Sequence, residues 1–157
     1  MTRTLATALS DARDAGAVFA ALHAHSQAFH PVRLWTVMSV DMEAGIARRA
    51  YTSHPEAYPV SGTKPVPEGD WFDGIHRGEI FVANTLADIA EVFPDHEAIG
   101  ALGCGAVVNL PVMIGGTLAA TINLLDAEHA FPPAVVARLD DALALPALAA
   151  VAVGRLV

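Results

Sequence analysis

The chain has a single cysteine, Cys104, so no disulfide forms within it, in keeping with a reducing cytoplasm, the expected location. Lys64 is its only lysine and the formal net charge is −8. That balance argues against general binding to nucleic acid or to an anionic membrane, both of which need basic patches. Aromatic residues make up only 6% of the chain. No apolar run approaches the roughly 20 residues needed to cross a bilayer, since the uncharged tail 142–154 is shorter and is interrupted by Pro146. Near the N-terminus Arg3 is followed by Asp11, Arg13 and Asp14 with no short apolar core, so a secretory signal is not expected.

What is present is a 157-residue chain that is 54% hydrophobic, much of it alanine. A chain of this size buries about two-thirds of its unfolded surface as one domain, expected to span 1–157. Its most informative stretch runs from Cys104 to Asp126. Two β-branched and apolar runs flank Met113-Ile114-Gly115-Gly116, and a Gly-Gly pair supplies the positive φ of a tight hairpin turn. In the second run Leu118, Ala120, Ile122 and Leu124 alternate with Thr117, Thr121 and Asn123. A period of two puts these sets on opposite sheet faces, one apolar and one polar but uncharged. Helices are expected behind the first face and a neutral polar cavity in front of the second.

Elsewhere, Thr4 to Phe29 reads as one amphipathic helix with Leu5, Leu9, Ala12, Phe19, Leu22, Ser26 and Phe29 along its stripe, stopped by Pro31. Arg33–Val40 and Ile46–Thr52 have strand composition around an acidic, glycine-ended loop. A long polar segment from Ser53 to Asp70 carries four prolines, and loops of that length in compact domains are often functional. A short helix over Trp71–Arg77, with Asp70 as its N-cap, precedes a strand at Glu79–Ala83. Two short helical pieces, Thr85–Ala90 and Asp95–Leu102, break at Phe93-Pro94, with Asp95 placed to cap the second. Pro132 to Val157 closes the chain as a helix that Pro146 should kink or locally distort. Helices at both ends with grouped strands between them define an α+β class with an antiparallel sheet.

This order, together with Phe93-Pro94-Asp95-His96, Asn109-Leu110-Pro111-Val112, Gly115-Gly116 and the return strand Leu118–Leu125 ending at Asp126, resembles the GAF domain family. These are small sensory domains related in shape to PAS domains. The resemblance covers essentially the whole chain. It implies a central antiparallel sheet with a ligand cavity on one face and, on the other, terminal helices that often pair as a homodimer. Members bind cyclic nucleotides, tetrapyrroles, haem or small metabolites, and a minority are enzymes. The Asn-Lys-x-x-x-Phe-x-x-x-Asp-Glu signature of cyclic-nucleotide members is missing, and Cys104 is followed by Gly105 rather than the histidine usual in bilin-binding members. The lone cysteine cannot close the disulfide cycle of the methionine sulfoxide reductases of this fold. The cofactor is therefore left unknown, and any signal is expected to pass through a separate partner, or there is no signal at all.

For site residues, Asn109, Thr121 and Asn123 either hydrogen-bond a ligand or satisfy local backbone groups and water. Tyr51, Tyr58, Trp71 and Phe72 either form an aromatic lid or anchor the long loop. Cys104 with His96 or His54 is the alternative, a cysteine-dependent enzyme. Cys104 shares the phase of Ala106, Val108 and Leu110, however, which reads as a buried, inert thiol. Adjacent Arg48 and Arg49 must face opposite ways, and one could enter the cavity as an anion clamp, although a solvated edge is the more usual place for such residues. The histidines show no metal-ligand spacing, so no metal site is expected. The favoured reading is a small-molecule-binding sensory or regulatory domain, not an enzyme, dimerising through its terminal helices and binding neither nucleic acid nor membrane.

Overall fold

A computed structural model describes residues 3–157. Six antiparallel strands form one sheet in the order β3-β2-β1-β6-β5-β4. In chain order they are β1 (Leu34–Asp41), β2 (Ile46–Thr52), β3 (Lys64–Pro65), β4 (Phe81–Ala83), β5 (Ala106–Ile114) and β6 (Thr117–Asp126). The helices are α1 (Leu5–Asp11), α2 (Ala15–Phe29), α3 (Asp70–His76), α4 (Leu86–Val92), α5 (His96–Ala101) and α6 (Pro133–Gly154). Helices α1, α2 and α6 pack on one face of the sheet, and α3 to α5 with the 53–70 loop cover the other. The α+β class, the central antiparallel sheet and the terminal helices on one face are as read from the sequence.

The hairpin turn has Gly115 at φ 60° and Gly116 at φ 76°, the pair of positive values that a two-residue turn matching strand twist requires. Behind it, Val108, Leu110, Ile122 and Leu124 join Trp35, Val37 and the buried side of α2 and α6 in the main core. The indole N–H of Trp35 donates to Ser26 Oγ at 3.0 Å, so the hydroxyl buried on α2 is satisfied.

Several boundaries differ from the expectation. The first helix is two helices: Ala12 is extended, and Asp14 starts α2 as its N-cap, accepting from the Ala17 N–H at 2.8 Å. Phe29, expected on the buried stripe, is 49% exposed at the end of α2. The α3 cap is Gly69, at φ 113° and without a side-chain bond, rather than Asp70. The α6 helix runs through Pro146, whose missing N–H leaves the Ala142 carbonyl without its intrahelical partner.

Two bulges correct the predicted alternation. Between β5 and β6, Val112 pairs with Ala120 but Met113 with Leu118, so Ala119 is extra. Leu118 is thereby turned away from Ala120 and Ile122 into the cluster of Phe72 and Ile75 beneath α3. Between β1 and β2, Val37 pairs with Tyr51 but Met38 with Arg49, so Ala50 is extra. Arg49 and Tyr51, two apart in sequence, consequently lie on opposite faces.

Candidate functional site

A cavity of about 770 Å³ opens between the sheet, the 53–70 loop and helices α3 to α5, within the size range of small-molecule sites. Its floor comes from same-phase residues on neighbouring strands. Thr36 pairs with Asn123 and Asn123 with Asn109, while Met38 pairs with Thr121 one step along. Val107 and Leu125 make the apolar end. The floor carries no charge, as the alternation in β6 led one to expect.

The polar floor residues form a directed relay. Trp71 Nε1–H donates to Asn109 Oδ1 at 3.0 Å, Asn109 Nδ2 donates to Asn123 Oδ1 at 2.7 Å, and Asn123 Nδ2 donates to Thr36 Oγ1 at 3.1 Å. An indole N–H only donates, so it fixes the orientation of Asn109, which fixes that of Asn123. Thr36 Oγ1 is the last acceptor of the relay. Thr121 is 1% exposed, and among the described residues its hydroxyl is the one buried side-chain polar atom with no hydrogen-bond partner.

One wall is a charged clamp. Arg49 Nη2 meets Asp95 Oδ2 at 2.9 Å, Nη1 donates to the Pro59 carbonyl at 2.8 Å, and the guanidinium lies 3.5 Å from the centre of the Tyr58 ring. The Tyr58 hydroxyl donates to the same Asp95 oxygen. Burial first, and then this bond to Asp95, push the Tyr58 phenol well above its ordinary value. The clamp ties β2, the long loop and the start of α5 together. Asp95, expected to cap α5, makes no side-chain cap there because its carboxylate is turned to Arg49 and Tyr58. Arg49 does enter the cavity, with its charge already met by a carboxylate.

Of the predicted ligand residues, Tyr58, Trp71, Asn109, Thr121 and Asn123 line this one cavity. Tyr51 does not. The Ala50 bulge turns it to the helix face, where its hydroxyl bonds His23 Nδ1 at 2.9 Å and its ring lies edge-on to Trp35. Phe72 is buried beneath α3 rather than in a lid, whereas Trp71 packs edge-to-face against Phe93 and Phe81 at the cavity wall. Cys104 also departs from its predicted phase. Gly103, at φ 79°, and Gly105 precede the strand, and the thiol packs with Leu34, Ile89 and Val107 rather than with Ala106 and Val108. It is 3% exposed. Burial first, and then Asp126, push its pKa up to about 11, against the opposing pull of Arg33. His96 donates Nδ1–H to the Phe93 carbonyl at 3.1 Å, and no hydrogen bond joins it to Cys104. The activated thiol needed by the enzyme alternative is not what this geometry provides.

Thr36 and Asp95 join the site beyond the ligand residues expected from the sequence, and Arg49 is the member of the arginine pair held in the clamp. Thr36 was legible, since it alternates with Trp35 and Val37 in β1, but the joining of Arg49 to Asp95 across 46 residues had no local signal.

No protein-family model and no curated protein matches the sequence. Solved structures do match the fold. The nlh2 GAF domain of A. aeolicus, in an inactive state, superimposes with a TM-score of 0.69 at 14% identity, covering 97% of this chain and 91% of that one. The GAF domain of the cyanobacteriochrome TePixJ gives 0.68 at 17% identity, covering 94% of each chain. The GAF domain of a two-component sensor histidine kinase from Bacillus halodurans gives 0.64 at 9% identity, covering 82% of this chain and 90% of that one. The chain has the GAF fold.

Among the described residues no helix is long and apolar enough to cross a membrane.

Proposed function

We propose that this is a sensory or regulatory domain that binds a small molecule in the cavity between the sheet and helices α3 to α5, and that it acts as a homodimer. The single observation that carries the binding half is the floor. Four polar, uncharged side chains, Thr36, Asn109, Thr121 and Asn123, line one cavity from three neighbouring strands. A few polar side chains grouped in a concave, partly apolar space are what orients a small molecule in a binding site. The matched GAF structures include domains of a sensor histidine kinase and a cyanobacteriochrome, which supports a sensory role. The dimer half rests on α6, where Leu145 and Leu148 are 73% and 39% exposed on a helix uncharged beyond Asp141.

The test is a thermal-shift screen with nucleotides, haem, purines and amino-acid derivatives. A molecule that binds only the native state raises Tm in proportion to the logarithm of its concentration above Kd. Binding at this site predicts that the shift is lost in a variant with a blocked cavity mouth. Sedimentation tests the dimer. A monomer at micromolar concentration contradicts it, and a dimer dissociated by Leu145→Glu supports it.

A further inference from the structure

We propose that the cavity reads its ligand through the side-chain amide of Asn123, and that the ligand carries an N–H donor and a carbonyl acceptor side by side in one plane, as a primary carboxamide or a lactam does. The inference rests on the binding role proposed above and narrows it to a chemical class.

Burial singles out Asn123. Of the four polar floor side chains, Thr36, Asn109 and Thr121 are buried, and Asn123 alone is partly exposed. It stands on β6, between β1 and β5, and lines the cavity, so the surface it shows is shown to that space.

Both of its flanks are taken. Its cross-strand partner on β5 is Asn109, whose Nδ2 donates to Asn123 Oδ1 at 2.7 Å. Its partner on β1 is Thr36, whose Oγ1 accepts from Asn123 Nδ2 at 3.1 Å. A carboxamide oxygen has two lone pairs and its nitrogen two hydrogens. With one of each spent sideways on the neighbouring strands, the other lone pair and hydrogen share the far edge of the amide plane and point together away from the sheet. The donor-only indole of Trp71, through Asn109, fixes which end is which. The acceptor lies on the β5 side and the donor on the β1 side. The complement is a planar edge with donor and acceptor adjacent, the arrangement that an asparagine amide reads in bidentate fashion.

The walls suit a ring attached to that edge. Trp71 and Phe93, edge to face with centres 5.1 Å apart, line the cavity with Met38, and all three are partly exposed. The edge sets the hydrogen-bonding group alone. Charge elsewhere on the molecule is met by Arg48, Lys64, Glu68, Asp70 and Glu91, which line the same space.

The test is NMR titration at millimolar concentration with fragments of one shape. Benzamide offers a donor beside an acceptor, acetophenone the acceptor alone, and benzamidine two donors. Each is titrated into the full chain and into Asn123→Asp. The variant keeps both flanks, since a carboxylate accepts from Asn109 Nδ2 and from the Thr36 hydroxyl, but it shows the cavity two acceptors. In the parent chain benzamide should bind about tenfold tighter than acetophenone. The Asn123 side-chain amide signal, assigned by its loss in the variant, should move as benzamide is added. In Asn123→Asp benzamide should weaken by about tenfold and benzamidine should become the tighter of the two. Acetophenone binding as tightly as benzamide, or benzamide indifferent to Asn123→Asp, overturns the proposed edge while leaving the cavity a binding site. The comparison with acetophenone uses the parent chain alone, so it decides the matter even if Asn123→Asp fails to fold. Benzamide failing to bind at all overturns the edge as well, and the binding reading falls with it if the thermal-shift screen also finds no ligand.

Discussion

The indole N–H of Trp71 reaches Asn109 Oδ1 at 3.0 Å and so ties helix α3 to strand β5. Asn109 is 3% exposed and has two side-chain partners, Trp71 and Asn123. Replacing it with leucine leaves the Trp71 N–H and the Asn123 carbonyl oxygen unmatched. Asn109→Leu is therefore expected to lower stability by about 1–3 kcal/mol in urea denaturation. In combination with Trp71→Phe the loss should be less than additive, because one of the stranded groups has been removed. Full additivity would mean that the two residues are not coupled.

Asp95 holds the loop wall. Asp95→Ala removes the partner of both Arg49 and Tyr58, so the 53–70 loop should be cleaved faster in limited proteolysis. Stability should fall by about 1–2 kcal/mol, a moderate cost because Arg49 and Asp95 both keep some contact with water. Arg49→Lys keeps the charge but loses the planar stacking on Tyr58 and should reproduce part of the effect. Unchanged proteolysis in Asp95→Ala would show that the loop is anchored elsewhere.

On the helix face, His23 is stacked against Trp35 with ring centres 5.0 Å apart and bonded to Tyr51. Burial first, and then the nearby His54, lower its pKa below the ordinary 6.5. A histidine with a lowered folded pKa contributes its full stability above the unfolded value and loses it as pH falls from there through the folded value. The stability difference between the parent chain and His23→Gln should therefore shrink as pH is taken from 7.5 to 5. A difference that is constant across that window would contradict a neutral, buried His23.

Cys104 should react slowly. With the thiol 3% exposed and its pKa pushed up to about 11, little thiolate is present at neutral pH. Modification by a disulfide reagent at pH 7.5 should wait on opening of the fold and accelerate sharply in denaturant. Rapid stoichiometric labelling of the native chain would revive the cysteine-enzyme alternative.

The glycine pair and the alternation Thr121–Asn123 made the hairpin and most of the cavity floor readable, because a turn and a period of two are local properties. What was misread came from events that leave no local mark. The extra residue Ala50 sits in an ordinary strand sequence, yet it sends Arg49 into the cavity and Tyr51 out of it. Ala119 does the same to Leu118. An alanine in a strand does not by its type mark a bulge, and the bulges follow from pairing with other strands. Asp14 is the opposite case, a capping residue in plain view inside an apparently continuous helical stripe. Asp95 looked equally like a cap, and the distant guanidinium of Arg49 took its carboxylate instead.

The central claim is that the cavity holds a small molecule in the working protein. Mass spectrometry of small molecules retained by the chain purified from its native source tests it most directly, with Val92→Trp as control. Val92 lines the cavity at the end of α4, on a helix rather than on the sheet, so a tryptophan there adds bulk to the cavity and leaves every floor residue in place. The expected result is a compound retained in near-stoichiometric amount by the parent chain and absent from a folded Val92→Trp variant. An empty parent chain, or a compound retained equally by both, would contradict a ligand site at this cavity.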